Sequence, residues 1–465
     1  MTNPSSQVES LRGASGADSV ESVWPLVPFE KLILKNDSPH APMVFRVAMR
    51  FEGPVRADLL AEAFRIAVNR QPLLKSQVVT INGVRSWQSC SAAPELSWQS
   101  SDLTQTEIEK LPIEWVDLRE NPGLSVRLWQ VDDGLSVLLD VHHACADGQG
   151  ARQLISEWWG LYSQLLDGSE LKLASMEVSK LGGRGVYRHP DPPVSLREGL
   201  RNLFVTIRGK TVRLPRRADA GSIDCKSDFL GEVTLSPEIT GSLRKRFREQ
   251  GFTINDIAVS ASFMAFVKYF PQVLKPNHFI TLLHPVDLRW PSDLRMPACN
   301  RVGVCFLRRR VRDLTDMTST LNWVRGEMLY VKQRYIGAEF LRGLAMTDKQ
   351  SGATDLLTRW GYFVPTLQFT CLGDTTRTLH YRFPQKEGVI DFHGLKLTKI
   401  SGIMQMGPLI PLSLAACESN QRLSLTLRGS TQFVTPTQAE EFLNVFVDQI
   451  VTSLPESGPS SSGKS

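Results

Sequence analysis

Two adjacent histidines and an aspartate follow an alternating apolar stretch in the segment "LSVLLDVHHACADGQG", residues 135–150. A neutral imidazole can accept a proton from a hydroxyl or an amine near physiological pH, and a nearby carboxylate can orient it. The types and spacing of His142, His143 and Asp147 therefore indicate a general base at the end of a strand.

The alternation of strand side chains separates the two histidines. Successive side chains point to opposite faces, so His143 shares a face with the leucines and valines of the segment, and His142 points away from that face. An imidazole on an apolar face is partly desolvated, which disfavours its charged form, and the positive end of a helix that begins near Gly148 acts in the same direction. His143 is therefore the predicted base, with a neutral ring.

The residues after the histidines are suited to support such a base. Asp147 stands where a helix N-cap or the partner of a buried ion pair would stand. Gly148 and Gly150 allow the backbone to turn and to approach a ligand closely, and backbone N–H groups at such a turn can stabilise an oxyanion.

Three other interpretations use the same residues. A histidine before a helix is often only a core or capping residue. Cys145 could be a nucleophile activated by His143, but a separation of two residues across a turn is awkward for a thiol–imidazole pair. A metal site would need ligands that converge, whereas His142 and His143 face opposite ways and no second ligand cluster accompanies them, so no metal is predicted.

The elements around the segment are predicted to be a hairpin followed by a helix. "LSVRLWQVDDGLSVLLDVHH" reads as two strands joined by a turn at Asp133 and Gly134, and "GARQLISEWWGLYSQLLDG" has apolar residues at helical spacing with a stop at Gly168. In the second half, Thr253 and Asp256 form a capping-box-like start of another helix. Both halves mix strands and helices without strict alternation, so the predicted fold class is α+β, a mixed α/β fold.

Composition divides the chain into five predicted segments. Residues 1–22 and 455–465 are polar and are expected to be disordered. Two folded subdomains are expected over 23–169 and 223–454. The segment 170–222 between them is a predicted basic linker, because residues 170–220 hold eleven Lys and Arg against five Asp and Glu.

Composition also limits the class of protein. The formal charge of +5 is carried by the linker region, so it does not indicate nucleic-acid binding. No run of 18 apolar residues predicts a transmembrane segment, and the N-terminus lacks the apolar core of a signal peptide. Seven cysteines without a Cys-x-x-Cys pair are typical of reduced thiols. We therefore expect a cytoplasmic, monomeric protein.

The segment His142-His143-Ala-Cys-Ala-Asp147-Gly148 resembles the H-H-x-x-x-D-G signature of the CoA-dependent acyltransferase superfamily. Further segments are similar to landmarks of that family, in the right order, over most of residues 24–452. They are "VPFEKLIL" (27–34), "NRQPLLKSQV" (69–78), "TINDI" (253–257), "PVDLR" (285–289), "NRVG" (300–303) and "FTCLG" (369–373). The chain departs from the family at Cys371, where many relatives have Asn, and at Gln71, which replaces the usual His.

The resemblance implies two chloramphenicol-acetyltransferase-like subdomains that form a V-shaped pseudo-dimer with a tunnel between them. It implies that His143 deprotonates the acceptor and that Asp147 is structural and paired with Arg289. His142 and Gly148 are then expected to support the site. Asn300 and Thr370, in two of the later landmarks, are expected to line the substrate tunnel.

The function implied is transfer of an acyl group, other than an aminoacyl group, from a thioester donor to a hydroxyl or amine acceptor. The donor is acyl-CoA or an acyl-carrier protein with a phosphopantetheinyl arm, acting as co-substrate, and no tightly bound cofactor is expected. Two alternatives stay open: a catalytically silent binding or scaffold protein of the same fold, and a stand-alone condensation-type enzyme that forms amides.

Overall fold

The computed structural model describes most of the chain, namely residues 23–90, 93–187, 209–219, 228–348, 364–376, 383, 385–386 and 389–453. The predicted disordered ends, 1–22 and 455–465, lie outside the described residues, as does part of the predicted linker. No helix among the described residues is long and apolar enough to cross a membrane.

Strands and helices are interleaved along the described chain, so the predicted mixed α/β fold class is confirmed. The strands are β1 (Trp24–Pro25), β2 (Val44–Glu52), β3 (Ser76–Ile81), β4 (Val84–Ser89), β5 (Leu96–Gln99), β6 (Leu124–Val131), β7 (Gly134–His142), β8 (Phe229–Thr234), β9 (Phe279–Asp287), β10 (Val302–Arg310), β11 (Leu367–Asp374), β12 (Gln385–Lys386), β13 (Val389–Phe392), β14 (Leu395–Ile403), β15 (Leu412–Ser419) and β16 (Arg422–Gly429). The α-helices are α1 (Pro28–Asn36), α2 (Ala57–Asn69), α3 (Gln105–Glu109), α4 (Gly148–Leu166), α5 (Pro237–Glu249), α6 (Ile254–Tyr269), α7 (Met317–Gln333), α8 (Ile336–Asp348) and α9 (Pro436–Thr452).

Two large sheets organise the molecule. A seven-stranded sheet has the order β12-β13-β14-β2-β7-β6-β5, and a six-stranded sheet has the order β10-β9-β11-β15-β16-β8. Helices α2 and α4 pack on the first sheet through a core that includes Phe64, Trp158 and Trp159. Helices α6 and α9 pack on the second through a core that includes Phe266 and Phe446.

The hairpin that leads to the histidines turns one residue earlier than predicted. Val131 pairs with Gly134, so the two turn residues are Asp132 and Asp133. Asp132 takes a left-handed conformation with φ of 50°, which Asp tolerates better than most residues. Gly134 instead begins β7, where a Cβ would lie 2.3 Å from the Phe51 carbonyl oxygen. The glycine is needed for close strand contact and not for the turn.

Strands from the C-terminal half complete the N-terminal sheet. β14 pairs antiparallel with β2, with Ile400 opposite Met49 and Ser401 opposite Ala48, and β13 follows β14 outward. β7, which carries the histidines, pairs with the other side of β2. The seven-stranded sheet therefore combines strands from both halves of the chain, whereas all the strands of the six-stranded sheet come from the second half. The division at residues 222 and 223 stays a prediction.

The predicted basic linker contains a buried charge. Arg184 is 1% exposed, and its guanidinium donates to both carboxylate oxygens of Glu30 in α1 at 2.7 and 2.8 Å. Trp87 also donates to Glu30 through its ring N–H, at 3.0 Å. Arg184 therefore ties the predicted linker to the N-terminal core.

Helix α8 lies against β10, the edge strand of the six-stranded sheet. A Cβ on Gly303 of β10 would lie 2.4 Å from the carbonyl oxygen of Gly337 in α8. The ring of Phe340, one turn further along α8, contacts Phe306 of β10 at 5.9 Å between centroids. The close glycine contact lets the backbone of the helix touch the strand.

Candidate active site

His143 follows directly after the last residue of β7. Its backbone N–H donates to the Met43 carbonyl at 2.8 Å, which continues the pairing with the chain before β2. Its ring lies edge-on to Phe29 of α1 and Phe45 of β2, with centroid distances of 5.9 and 5.5 Å. The imidazole is thus held by apolar rings and is 8% exposed.

The backbone assigns the tautomer of each histidine. Nδ1 of His143 lies 3.2 Å from the Ala146 carbonyl oxygen, which can only accept, so Nδ1 carries the proton and Nε2 has a free lone pair. Among the described residues, no group is hydrogen-bonded to this Nε2. Nδ1 of His142, in contrast, accepts from the Ala144 N–H at 3.1 Å. The neighbouring rings therefore have opposite tautomers, and only that of His143 offers Nε2 as a base.

His142 is not directed toward solvent. The face to which it points is also buried, because β7 lies inside the sheet and is covered on both sides, and His142 is fully buried. Its Nε2 lies 3.3 Å from Asp37 Oδ2, at an angle too poor for a hydrogen bond. His142 is thus a packed residue at the base of the loop.

Burial determines the charge state of His143. Desolvation lowers the pKa of its ring, and the nearby Asp147 carboxylate only partly opposes this effect. The direction is the one that the apolar strand face predicts. At neutral pH His143 is therefore uncharged and able to accept a proton.

Asp147 is the N-cap of α4 and one partner of a buried ion pair. Its carboxylate accepts from the backbone N–H groups of Gln149 and Gly150 at 3.1 and 2.9 Å. Arg289 donates to both oxygens at 2.8 and 2.9 Å, and the Arg301 N–H donates at 2.8 Å. Burial favours the neutral carboxyl, but the charge and hydrogen bonds of Arg289 hold the pKa of Asp147 below its usual value. A carboxylate with so many donors holds the loop and does not exchange protons.

Asn300 does not line the substrate space, contrary to the expectation from its landmark. It is fully buried, and its amide N–H group donates to the carbonyls of His143 and Ala144 at 2.7 and 2.9 Å. The reason is that the loop before β10 turns inward onto the histidine loop. Asn300 therefore fixes the backbone from which the His143 ring projects.

Gln71, where relatives usually have His, joins the two halves behind the site. Its side-chain oxygen accepts from the Ala298 N–H at 2.7 Å, and its NH₂ group donates to Glu157 of α4 at 2.9 Å. Gln71 is fully buried. The amide can donate and accept at once without titrating, which suits this connection.

The structure argues against Cys145 as a nucleophile. The thiol is fully buried, and desolvation raises its pKa well above the usual value. A Cβ on Gly123 would lie 2.3 Å from its sulfur, so the thiol packs tightly against that backbone. A protonated, enclosed thiol is inert.

A cavity of about 1220 Å³ lies between the two sheets and includes His143 in its wall. Asp147, Gly148, Arg289 and Thr370 also line it, so the structure brings these sequence-predicted residues together. Phe29, Phe45 and Arg152 line it too and were not anticipated individually. The segment 27–34 carried a signal for Phe29, whereas nothing local marks Phe45 or Arg152.

A comparison with protein families matches residues 32–179 to the condensation domain. Among curated proteins, bacitracin synthase 2 of Bacillus licheniformis is 22% identical over 232 residues, which is 48% of this chain and 9% of that synthase. The chain spans less than a tenth of the length of the curated relatives it matches.

Solved structures of other proteins superpose on nearly the whole chain. The trichothecene 15-O-acetyltransferase of Fusarium sporotrichioides superposes with a TM-score of 0.70 at 12% identity, over 94% of this chain and 96% of that one. The first condensation domain of the calcium-dependent antibiotic synthetase, in complex with a substrate analogue, gives a TM-score of 0.68 at 17% identity, over 93% and 96%. At these identities the similarity is one of fold.

Proposed function

We propose that this chain, which has the fold of the CoA-dependent acyltransferase superfamily, transfers an acyl group from a thioester donor to a hydroxyl or amine acceptor. The observation that carries the proposal is the unprotonated Nε2 of His143 at the wall of a large cavity between the two sheets. The condensation-domain match and the acetyltransferase neighbour both support acyl transfer.

In the proposed reaction, Nε2 of His143 takes the proton of the acceptor as the acceptor oxygen or nitrogen attacks the thioester carbonyl. The tetrahedral intermediate collapses, the carbon–sulfur bond breaks, and the thiolate leaves. His143 then returns the proton to the sulfur, so the products are an ester or amide and a free thiol. The donor is acyl-CoA or an acyl-carrier protein, and it serves as co-substrate with no resident cofactor.

Asp147 and Arg289 are positioning residues in this scheme. Their ion pair and the amide of Asn300 hold opposite sides of the 143–148 loop, so the direction of the His143 ring is set by the backbone. A base that is held in place before the substrate binds needs no rearrangement during the reaction.

Within this proposal, the narrower alternative is a stand-alone condensation-type enzyme that forms only amides, and the condensation-domain match over residues 32–179 favours it. The difference lies in the acceptor, because an amine gives an amide and a hydroxyl gives an ester. The same assay separates the two.

The test follows thiol release from acyl-CoA and acyl-carrier donors, including aminoacyl ones, with alcohol and amine acceptors. We expect release with the wild type and a loss of about 10²- to 10⁴-fold in kcat/KM for His143→Ala. His393→Ala is the matched control, because this histidine is 48% exposed in its side chain, pairs with Asp167 at 2.6 Å and lies 250 residues after His143 in the sequence.

Two results would overturn the proposal in different ways. Full activity of His143→Ala, with a thermal midpoint like that of the wild type, contradicts the mechanism. Absence of thiol release from every donor with every acceptor contradicts the enzyme function and favours the silent scaffold.

A further inference from the structure

Strand β11 of the six-stranded sheet contains a bulge at Leu372. Its pairing with the parallel strand β15 shifts register between Cys371 and Gly373, so Leu372 has no partner in that strand. Gly373 takes a φ of 65°, a left-handed conformation that suits glycine. Bulges redirect side chains and are common beside active sites. The half-buried side chain of Leu372 lines the cavity, so the bulge shapes the cavity wall.

The Leu372 side chain reaches from the C-terminal sheet to two elements of the N-terminal one. A Cβ on Gly148, the first residue of α4, would lie 3.3 Å from Cδ2 of Leu372. A Cβ on Gly402 of β14 would lie 2.5 Å from its Cδ1. Gly402 has no left-handed backbone conformation that would itself require glycine. The lack of a side chain at Gly402 therefore leaves room for Leu372, which fills the gap between α4 and β14.

The gap that Leu372 fills lies beside His143. The first of the two glycines ends the loop that begins at His143. The second, Gly402, pairs with Val47 of β2, and the side chains of paired residues share a face of the sheet. On that face, two residues along β2, Phe45 contacts the His143 ring at 5.5 Å between centroids. Leu372 therefore closes the cavity wall next to the surroundings of the predicted base.

We infer that Leu372 is a specificity-determining residue, which fills the gap between α4 and β14 and thereby limits the bulk of the substrate group that lies beside His143. The inference rests on the proposed acyl transfer and concerns the size of its substrates. A bulky group would need the volume that the isopropyl end of Leu372 occupies. Compact groups next to the reacting atoms are therefore favoured. Either the acyl group or the acceptor can supply this group, and the test examines both.

The test compares a compact with a bulky substrate in the wild type and in Leu372→Ala, which opens the gap. One arm uses acetyl-CoA and benzoyl-CoA as donors with one acceptor, and the other uses 1-propanol and benzyl alcohol as acceptors with one donor. In at least one arm, we expect the variant to raise the bulky-to-compact ratio of kcat/KM by about tenfold or more. The arm that responds identifies the substrate that Leu372 limits. Unchanged ratios in both arms overturn the inference.

Leu283→Ala is the matched control. Leu283 of β9 is also a half-buried leucine of the six-stranded sheet and lines the cavity, but it is not among the atoms nearest to a Cβ on Gly148 or Gly402. This variant removes the same atoms from another part of the wall, and an effect on both substrates alike cancels in their ratio. We expect the bulky-to-compact ratio to stay at the wild-type value. An equal rise in both variants overturns the inference, because cavity volume alone would then set the preference.

A second substitution refills the gap from the opposite wall. In Leu372→Ala, the further change Gly402→Val places a Cβ 2.5 Å from the position that Cδ1 of Leu372 vacates. Among the atoms nearest to that Cβ, only the Arg46 carbonyl oxygen at 3.9 Å then remains, and valine suits a strand. We expect the double variant to recover most of the wild-type discrimination. If a double variant with a wild-type thermal midpoint keeps the ratio of Leu372→Ala, the filled gap does not set the preference.

A binding measurement separates this inference from the proposed function. If no thiol is released from any substrate, acyl transfer fails, and the same two pairs of compounds are titrated calorimetrically into the wild type, Leu372→Ala and Leu283→Ala. A gain in relative affinity for the bulky member of a pair of about fivefold or more, confined to Leu372→Ala, supports the inference without turnover. Unchanged relative affinities in both pairs overturn it.

Discussion

The chemistry of His143 depends on one hydrogen bond and on burial. The Ala146 carbonyl keeps the proton on Nδ1, and the apolar surroundings lower the pKa of the ring. Both effects leave Nε2 unprotonated at neutral pH. In the proposed mechanism, the far side of the ring is therefore bonded to a backbone carbonyl and not to a carboxylate.

The lowered pKa of His143 predicts the pH dependence of the activity. The protonated ring is inactive as a base, so the rate falls as pH falls through the pKa of the folded protein. Because that pKa is below the usual 6.5, we expect kcat/KM to decline at low pH with a midpoint below 6.5 and to level off as the pH rises well above that midpoint. The measurement uses an alcohol acceptor, which does not titrate in this range. A midpoint above pH 7 would contradict the assignment.

The ion pair of Asp147 and Arg289 predicts that removal of Arg289 lowers the free energy of unfolding. Arg289→Met leaves a carboxylate that is 6% exposed in its side chain without its cation, and removal of one partner of a buried pair costs about 3–5 kcal/mol. We expect a loss of this size in urea unfolding. Arg295→Met is the control, because Arg295 is 64% exposed and lies 3.7 Å from Glu177; its loss is expected to be below about 1 kcal/mol.

A double variant checks that the two groups act together. Asp147→Asn with Arg289→Met is expected to lose less stability than the sum of the two single variants, because the second change removes a charge that the first left unpaired. If the loss of the double variant equalled the sum of the two single losses, Asp147 and Arg289 would not be coupled.

The sequence predicted those site residues whose roles depend on neighbours close in the chain. Strand alternation and the helix start marked His143 and Asp147, because both depend on residues within one turn. Asn300 was misplaced because its partners, the carbonyls of His143 and Ala144, are 157 and 156 residues away. No periodicity in the chain encodes such a contact.

At the scale of elements, the contact of β10 with α8 depends on Gly303. A methyl group on Gly303 would lie 2.4 Å from the Gly337 carbonyl oxygen. That oxygen belongs to the backbone and cannot rotate away, so the helix would have to move. We expect Gly303→Ala to lose about 1–3 kcal/mol of unfolding free energy. Thermal or urea denaturation measures the loss.

A helical glycine in open space gives the comparison. Gly326→Ala in α7 meets no atom within 4 Å and is expected to gain about 0.5–1 kcal/mol from helix propensity. If Gly303→Ala were as stable as Gly326→Ala, the strand–helix contact would not be tight.

Element types were predicted better than element boundaries. The helix with a capping box at Thr253 and Asp256 is present as α6, because capping is a local interaction. The turn after β6 was predicted one residue too late, because Asp–Gly is a common turn pair and the structure turns at Asp132 and Asp133 instead. The structure uses Gly134 for its closeness to Phe51, which no local pattern reveals.

At the scale of the whole molecule, β14 makes the two halves interdependent. Leu397 and Ile400 of this strand are 1% and 4% exposed and belong to the N-terminal core, although they lie in the second half of the chain. Pairing of strands so distant in sequence leaves no compositional trace. Sequence reasoning therefore divided the chain into contiguous halves.

The pairing of β14 with β2 predicts that an N-terminal fragment of the chain does not fold alone. Residues 1–222 alone lack β14, so the hydrogen-bonding edge of β2 is exposed and the core loses Leu397 and Ile400. We expect this fragment to show no cooperative urea transition, and the transition to return when residues 223–465 are added. Recovery is expected to fail when the added fragment carries Ser401→Pro, since proline cannot donate in the ladder opposite Ala48. A cooperative transition of residues 1–222 alone would contradict the prediction.

The contact of Gly303 with Gly337 affects the tendency of the protein to aggregate with other copies of itself. β10 is the last strand of its sheet, and the unpaired N–H and C=O groups of such a strand are a template on which a foreign strand can add. Helix α8 lies along this strand, and the neighbouring Arg308 and Arg310 stack on Phe279. A substitution that pushes α8 away thus uncovers an adhesive edge, so its first symptom in concentrated solution is aggregation and not loss of activity.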